Sequence, residues 1–254
     1  MISTYATRSP HTTHMNELER ILEHEFAEPG LMQQALRHPS YVAEHAREGD
    51  DNQRMEFLGD AVLQLGLSAI LYERFPDLDE GPLTRLRTIA VRTEALAEFA
   101  IELDLGRFLL LGRGEEKNGG RGRASNLADA FEAILAALYL DGGESAAFPL
   151  CERLAESVVR GHPEQLLAME NPKGALQEWV AAREQDPPDY EVESVTGPEH
   201  DPRFQVAVRL EGTVAGRAVA CSRKEAEKAA AAQALKLVAE APLGTPGPSL
   251  SRKG

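Results

Sequence analysis

The stretch RMEFLGDAVLQLGLSAIL, residues 54–71, decides the fold and raises the question of function. Between Leu58 and Leu71 its only charge is Asp60, and Glu56 lies four residues earlier on the same helical face. A helix apolar on all sides belongs in a core. Two carboxylates there need a reason, because a buried carboxylate must be protonated, paired or bound to a cation.

The helix expected over Leu127–Leu140 repeats the anomaly. Its only charges are Asp129 and Glu132, three residues apart, among Leu127, Phe131, Ile134, Leu135 and Leu138. Two greasy helices each present an acidic pair on one face, where neighbouring side chains approach within about 6 Å. On a surface helix such pairs are simply solvated; in a core two readings stand. One is ion pairing with Arg85, Arg87 or Arg92. The other is a metal site, and four oxygen donors without nearby Cys or His select Mg²⁺ or Mn²⁺. A di-iron carboxylate bundle requires Glu-x-x-His pairs. None of the seven histidines has a Glu three residues before it.

Composition bounds the rest. The chain has 254 residues, enough for one large domain or two, and 43% are hydrophobic. The net charge is −14, and both parts are acidic: residues 1–169 hold 16 Lys and Arg against 28 Asp and Glu, and residues 170–240 hold 9 against 13. Any nucleic-acid binding must therefore come from local patches or metal ions. No run reaches the roughly 18 uninterrupted apolar residues of a membrane span, so no membrane partner is expected. The polar N-terminus lacks the apolar middle of a secretory signal, which predicts a cytoplasmic protein. Cys151 and Cys221, 70 residues apart, offer no disulfide framework or metal spacing, and both read as reduced structural residues.

Helical periodicity dominates the first two-thirds and predicts an all-α N-terminal domain over 16–143, with a following helix to about 160. The Gly-rich segment 112–123 reads as a mobile loop, and Ser125 or Asn126 as the cap of the helix after it. Pro163, Asn171 and Pro172 mark a linker, 161–169. A small α+β domain in the order α-β-β-β-α is expected over 170–240. The Pro/Gly/Ser-rich tail 241–254 reads as disordered.

These segments carry a resemblance. NQRMEFLGDAVL and LADAFEAILAALYLDGG resemble the two catalytic segments of the ribonuclease III family, and ALRHPSY, FPDLDEGPLTRLR and LGRGEEKNGG match in order and spacing. The likeness covers nearly all of 16–240. It implies a Mg²⁺-dependent endoribonuclease, with Mn²⁺ as a possible substitute, in which Glu56, Asp60, Asp129 and Glu132 hold metal and Asp60 and Glu132 are indispensable. It implies a staggered cut of double-stranded RNA leaving 5′-phosphate and 3′-hydroxyl ends, with ribosomal, messenger and transfer RNA precursors as substrates. Glu80 matches an auxiliary acidic position near the cleavage site, and Gln53 stands where some members carry Glu. The resemblance also implies a homodimer in which Phe57 packs into the partner, although the residues alone give Phe57 as core.

Residues 170–240 resemble a double-stranded-RNA-binding domain, with PKGALQEWVA as its first helix and SRKEAEKAAAAQAL as its second. Such domains read A-form shape through 2′-hydroxyls and phosphates. The match places Gln177, Glu178 and His200 at minor grooves. Arg223, Lys224 and Lys228 gather at a helix start, where the dipole also attracts phosphate. Gly174 and Ala181 replace polar contacts of some relatives, and Trp179 reads as core.

Overall fold

Prolines set many of the helix starts. Pro29, Pro39, Pro163 and Pro172 each open a helix, where the missing N–H costs nothing. The structure, a computed structural model, describes residues 10–159 and 163–240. The disorder expected for 241–254 therefore falls outside the described residues. The chain divides into two compact units, Met1–Gly161 and His162–Gly254.

The first unit is all helical: α1 (Pro10–Leu22), α2 (Pro29–Ala35), α3 (Pro39–Glu44), α4 (Gln53–Arg74), α5 (Glu80–Ala90), α6 (Thr93–Glu102), α7 (Arg113–Lys117), α8 (Ala124–Gly142) and α9 (Glu144–Val159). Its axis is α8, in which Leu127, Phe131, Ile134, Leu135 and Leu138 are all buried. Helices α2, α4, α6 and α9 surround it, and the Phe131 ring meets Phe99 edge-on at 5.6 Å. Each such aromatic or Leu side chain contributes about 1.5–3 kcal/mol by leaving water.

Both ends of α8 are tied to distant chain. Near its start the buried Asn126 donates from Nδ2 to Glu115 Oε1 (2.8 Å) and to the Gly120 carbonyl (3.1 Å). At its end the Asp141 carboxylate accepts from the backbone N–H of Ala27 (3.1 Å) and Glu28 (2.9 Å) and meets His24 Nε2 at 2.8 Å. Asn126 is thus an anchor rather than the expected cap: the helix begins at Ala124, and the residue before it, Arg123, makes no side-chain cap bond.

The long helix α4 corrects the expectation of burial on all sides. Val62, Leu63, Leu67 and Leu71 are buried, while Phe57, Leu65 and Tyr72 are 82%, 54% and 73% exposed. Alone among the described helices, α4 is long and apolar enough to cross a membrane by length and composition. Its buried face packs on α8 and α9 as in a globular core.

The segment 112–123 is not a featureless loop. It holds α7 and a 3₁₀ turn, Gly120–Gly122, because Arg121 donates to the carbonyls of Gly106, Arg107 and Leu109 and pairs with Glu116. Five carbonyl and carboxylate bonds fix what composition alone reads as mobile.

In the second unit, α10 (Pro163–Glu170) occupies the expected linker and packs on α11 (Pro172–Ala181). Strands β1 (Asp189–Thr196), β2 (Arg203–Leu210) and β3 (Thr213–Ala220) form an antiparallel sheet in sequence order, closed by α12 (Arg223–Glu240). Leu176, Val206, Val208, Ala226, Ala230 and Ala234 form its core. Gly216 lets α12 lie directly on β3: a Cβ there would fall 2.3 Å from the Ala230 carbonyl oxygen. Small alanines and a glycine thus set the helix-to-sheet spacing.

Two side chains differ from expectation. Trp179 is half-buried, with the Arg183 guanidinium 3.9 Å from its ring centroid, so it shields a cation rather than filling the core. Cys151 is buried, whereas Cys221 is exposed and has no structural role in the core.

Candidate active site and RNA interface

The two acidic pairs converge where α4 crosses α8. At Gly59 an added Cβ would fall 1.8 Å from the Glu132 carbonyl oxygen, so the two backbones touch at this point. Asp60 adjoins that contact on one helix and Glu132 forms it on the other. Glu56 and Asp129 flank them a turn away.

The electrostatics register the convergence. Burial first, and then the charges of Asp60, Glu56 and Asp129, push the Glu132 carboxyl up to about 8. Glu56 is raised by burial and then by Asp129, Asp51 and Asp60. Asp129 is raised by burial, and only His38 pulls it down. No Lys or Arg offsets any of these three shifts.

The ion-pair alternative is therefore not what the fold adopts. Arg87 Nη1 donates to Ser68 Oγ at 2.7 Å, and the Arg85 Nε is buried without a partner. None of the four carboxylates forms a salt bridge among the described residues; Asp60 instead accepts from Gln64 Nε2 at 3.0 and 3.2 Å.

Whether the residues suit a divalent ion is a question of donor chemistry and charge. Four half-buried carboxylates with no counter-cation make a hard-oxygen donor set that lacks positive charge. Among the described residues no three His, Cys, Asp or Glu groups are already closed about one point as a metal cage. Mutual repulsion keeps uncompensated carboxylates apart, and compensation by an ion removes that repulsion. By ligand type and charge the residues fit.

Of the remaining catalytic candidates, Gln53 lies one turn before Glu56 and Glu80 lies apart. Gln53 is exposed at the start of α4, and its backbone N–H bonds the Asp51 carboxylate. Glu80 is exposed, accepts from Thr84 Oγ1, and lines a cavity with Leu71 and Tyr72. That cavity lies about 16 Å along α4 from Asp60, eleven residues at 1.5 Å each. The fold of a single chain does not bring Glu80 to the other four. Sequence reasoning missed Gly59, Gln64 and His38. Gln64 is signalled by its i+4 spacing from Asp60, and Gly59 by a small residue beside a charge in a greasy helix.

In the second unit, the pairing of Phe204 with Ala220 and of Arg203 with Thr196 sets one end of the sheet. The loop carrying exposed His200 and the start of α12 both lie at that end. Ser222 caps α12: its Oγ accepts the Glu225 N–H and donates to the Glu225 carboxylate. Gln177 and Glu178 are exposed on α11.

The three expected cations are not equivalent. Arg223 Nε pairs with Glu227 Oε1 at 2.8 Å, and Lys173 holds the other oxygen of Glu227. Lys224 and Lys228 are exposed and form no salt bridge among the described residues, leaving two of the three cations unpaired there. Gly174 also has a structural reason. The Asn171 side chain caps α11 by accepting the Gly174 N–H, and a Cβ on Gly174 would meet that amide at 2.4 Å.

Comparisons with known proteins identify the family. A family model described as Ribonuclease-III-like matches residues 28–157, and one for a double-stranded RNA binding motif matches residues 172–238. A protein named Ribonuclease 3 from Syntrophobacter fumaroxidans is 42% identical over 89% of this chain and 95% of its own length. One of the same name from Nitrosococcus oceani is 43% identical over 89% and 96%. Among solved structures, a nuclease domain of ribonuclease III from Campylobacter jejuni superposes with a TM-score of 0.53 at 38% identity. It covers 57% of this chain and 99% of its own, and is described as flexible in a region involved in dimer formation.

Proposed function

The chain belongs to the ribonuclease III family and is an endoribonuclease for double-stranded RNA, and on that premise we propose that Glu56, Asp60, Asp129 and Glu132 bind divalent metal, Mg²⁺ or Mn²⁺, at its catalytic centre. The observation that supports this most is that burial and then the neighbouring carboxylates raise Glu132 and Glu56, with no Lys or Arg among the causes that act on either. A hard divalent ion held there supplies an activated water and neutralises charge at the scissile phosphate. The protein's own part is placement. The Gly59 contact fixes the separation of the two pairs, and Gln64 orients Asp60 by a fork of two bonds. Asp60 and Glu132, nearest that contact, are the indispensable pair.

The exposed apolar face of α4 supports a homodimer. Phe57, Leu65 and Tyr72 are spaced by eight and seven residues, so they share one face over about 22 Å. A two-fold axis near Leu65 lays a second α4 antiparallel to the first and sets Phe57 over the partner's Tyr72. A cavity of about 390 Å³, lined by Leu71, Tyr72, Leu78 and Leu83, lies at that place to receive it. The same arrangement carries the partner's Glu80 toward Gln53 and Glu56, which gives Glu80 its auxiliary role. Two such centres on opposite strands yield staggered cuts with 5′-phosphate and 3′-hydroxyl ends.

Lys224, Lys228, His200, Gln177 and Glu178 hold the duplex, with Arg223 restrained by Glu227. The substrates are ribosomal RNA precursors and some messenger and transfer RNA precursors, in the cytoplasm. The test is a long RNA duplex incubated with the protein and Mg²⁺, read on a denaturing gel. Discrete short products that vanish with chelator and with Glu132→Gln, while duplex binding persists, are expected; full cleavage by Glu132→Gln removes that residue from the mechanism.

A further inference from the structure

A cavity of about 450 Å³ opens where the end of α2 meets α3 and the 3₁₀ turn Leu105–Phe108, and none of the four metal-site carboxylates lines it. Arg37, Tyr41 and Glu48 line it together with Leu36 and Phe108. Arg37 is the anomaly. Its Nε is buried without a partner, and its side chain makes no hydrogen bond or salt bridge among the described residues. The other two arginines on the cavity are already answered: Arg107 pairs with Glu17 and Asp104, and Arg121 with Glu116 and three carbonyls.

The Arg37 guanidinium lies beside Gly49. The backbone of Gly49 lies against it, with φ +107° and Nη1 3.0 Å from where a Cβ would sit. The Arg37 carbonyl accepts the Asn52 N–H at 2.9 Å, which holds the covering segment down. A guanidinium fork held in place with its donors unspent is shaped for a phosphate or carboxylate. Beside it, the Tyr41 ring stacks on His45 at 4.2 Å and forms an aromatic wall. Glu48 accepts the Tyr41 hydroxyl at one oxygen, leaving the other to accept from a ribose hydroxyl or an amino group. Anion fork, aromatic wall and carboxylate acceptor in a cavity of this size match a phosphorylated nucleoside.

We propose that this cavity is a binding site for a nucleoside monophosphate, with the phosphate on Arg37 and the nucleoside against Tyr41 and Glu48. It is separate from the catalytic centre and does not rest on the metal reading. The test is calorimetric titration of the full chain with AMP, adenosine and inorganic phosphate, in chelator so that the carboxylate site takes no part. AMP is expected to bind at least tenfold more tightly than either fragment. Arg37→Met should weaken AMP at least tenfold, Tyr41→Leu should weaken AMP but not phosphate, and both should cleave duplex within twofold of wild type with unchanged melting. No AMP binding at millimolar concentration overturns the proposal. So does AMP binding undiminished in both variants, or phosphate binding as tight as AMP.

Discussion

Replacing Gly59 with Ala adds one methyl group to an exactingly close contact, and its sign is not obvious in advance. Alanine is the better helix former by about 1 kcal/mol, so on an open helix face the variant is stabilised. Here the new Cβ falls 1.8 Å from the Glu132 carbonyl oxygen and 2.5 Å from its carbon. Ordinary contact begins near 3.4 Å, so the helices must part by roughly 1.5 Å, with backbone on both sides and no flexible side chain to yield. Overpacking costs about 1–3 kcal/mol, and with rigid backbone this close it falls at the upper end, so about 1–2 kcal/mol is lost after the propensity gain is subtracted. In a helical unit of this size that lowers the melting temperature by roughly 2–8 °C.

Cleavage should fall further, because Glu132 moves relative to Asp60; a 1 Å displacement of reacting groups costs on the order of 10²-fold. The assay is single-turnover cleavage of a defined duplex beside a thermal melt. Gly66→Ala is the control: its Cβ meets Cys151 Sγ at 2.8 Å, so it strains the α4–α9 contact and should lose stability while cleavage at the remaining fold stays near normal. If Gly59→Ala melts at or above wild type and cleaves within threefold, the contact does not set the carboxylate spacing.

Other outcomes follow from the same geometry. With Glu132 raised from an ordinary 4.5 to about 8, the metal-free folded protein binds more protons than the unfolded chain between those values. Stability is then fully present below the lower value and lost as pH rises toward 8; discounted for water at the open site, the loss is about 1–2 kcal/mol. Melts from pH 5 to 8 in chelator should show this fall, and a flat profile in wild type, or an equal slope in Glu132→Gln, contradicts it. Phe57→Glu should convert a dimer to monomers by sedimentation and reduce cleavage at least tenfold; an unchanged dimer would place the interface elsewhere. Lys224→Ala and Lys228→Ala should each lower the salt slope of duplex binding by roughly one unit, with Arg223→Ala smaller because Glu227 already holds it.

The helical pattern alone located both acidic pairs, since residues four and three apart on apolar helices must share a face. It did not reveal that Gly59 sits against Glu132, because a close approach depends on how two distant helices cross. The exposure of Phe57 was hidden for the opposite reason: a helix apolar on every side carries no mark of which face the protomer itself covers. Segment 112–123 looked mobile because five glycines outvote one residue, and the carbonyls that Arg121 gathers lie twelve to fifteen positions away. The loss of Arg223 as a free cation was legible in its i+4 spacing to Glu227, but Lys173, from another helix, was not.

The tethering of α8 at both ends has an evolutionary consequence. Asn126 and Asp141 are fastened to separate parts of the chain, and the acidic pair lies between them. One inserted or deleted residue would turn everything beyond it by about 100°. It would unhook Asp141 or swing Asp129 and Glu132 away from their counterparts. The length between those two anchors should therefore stay fixed across descendants even where individual side chains drift, and tolerated indels should gather in the connections outside them.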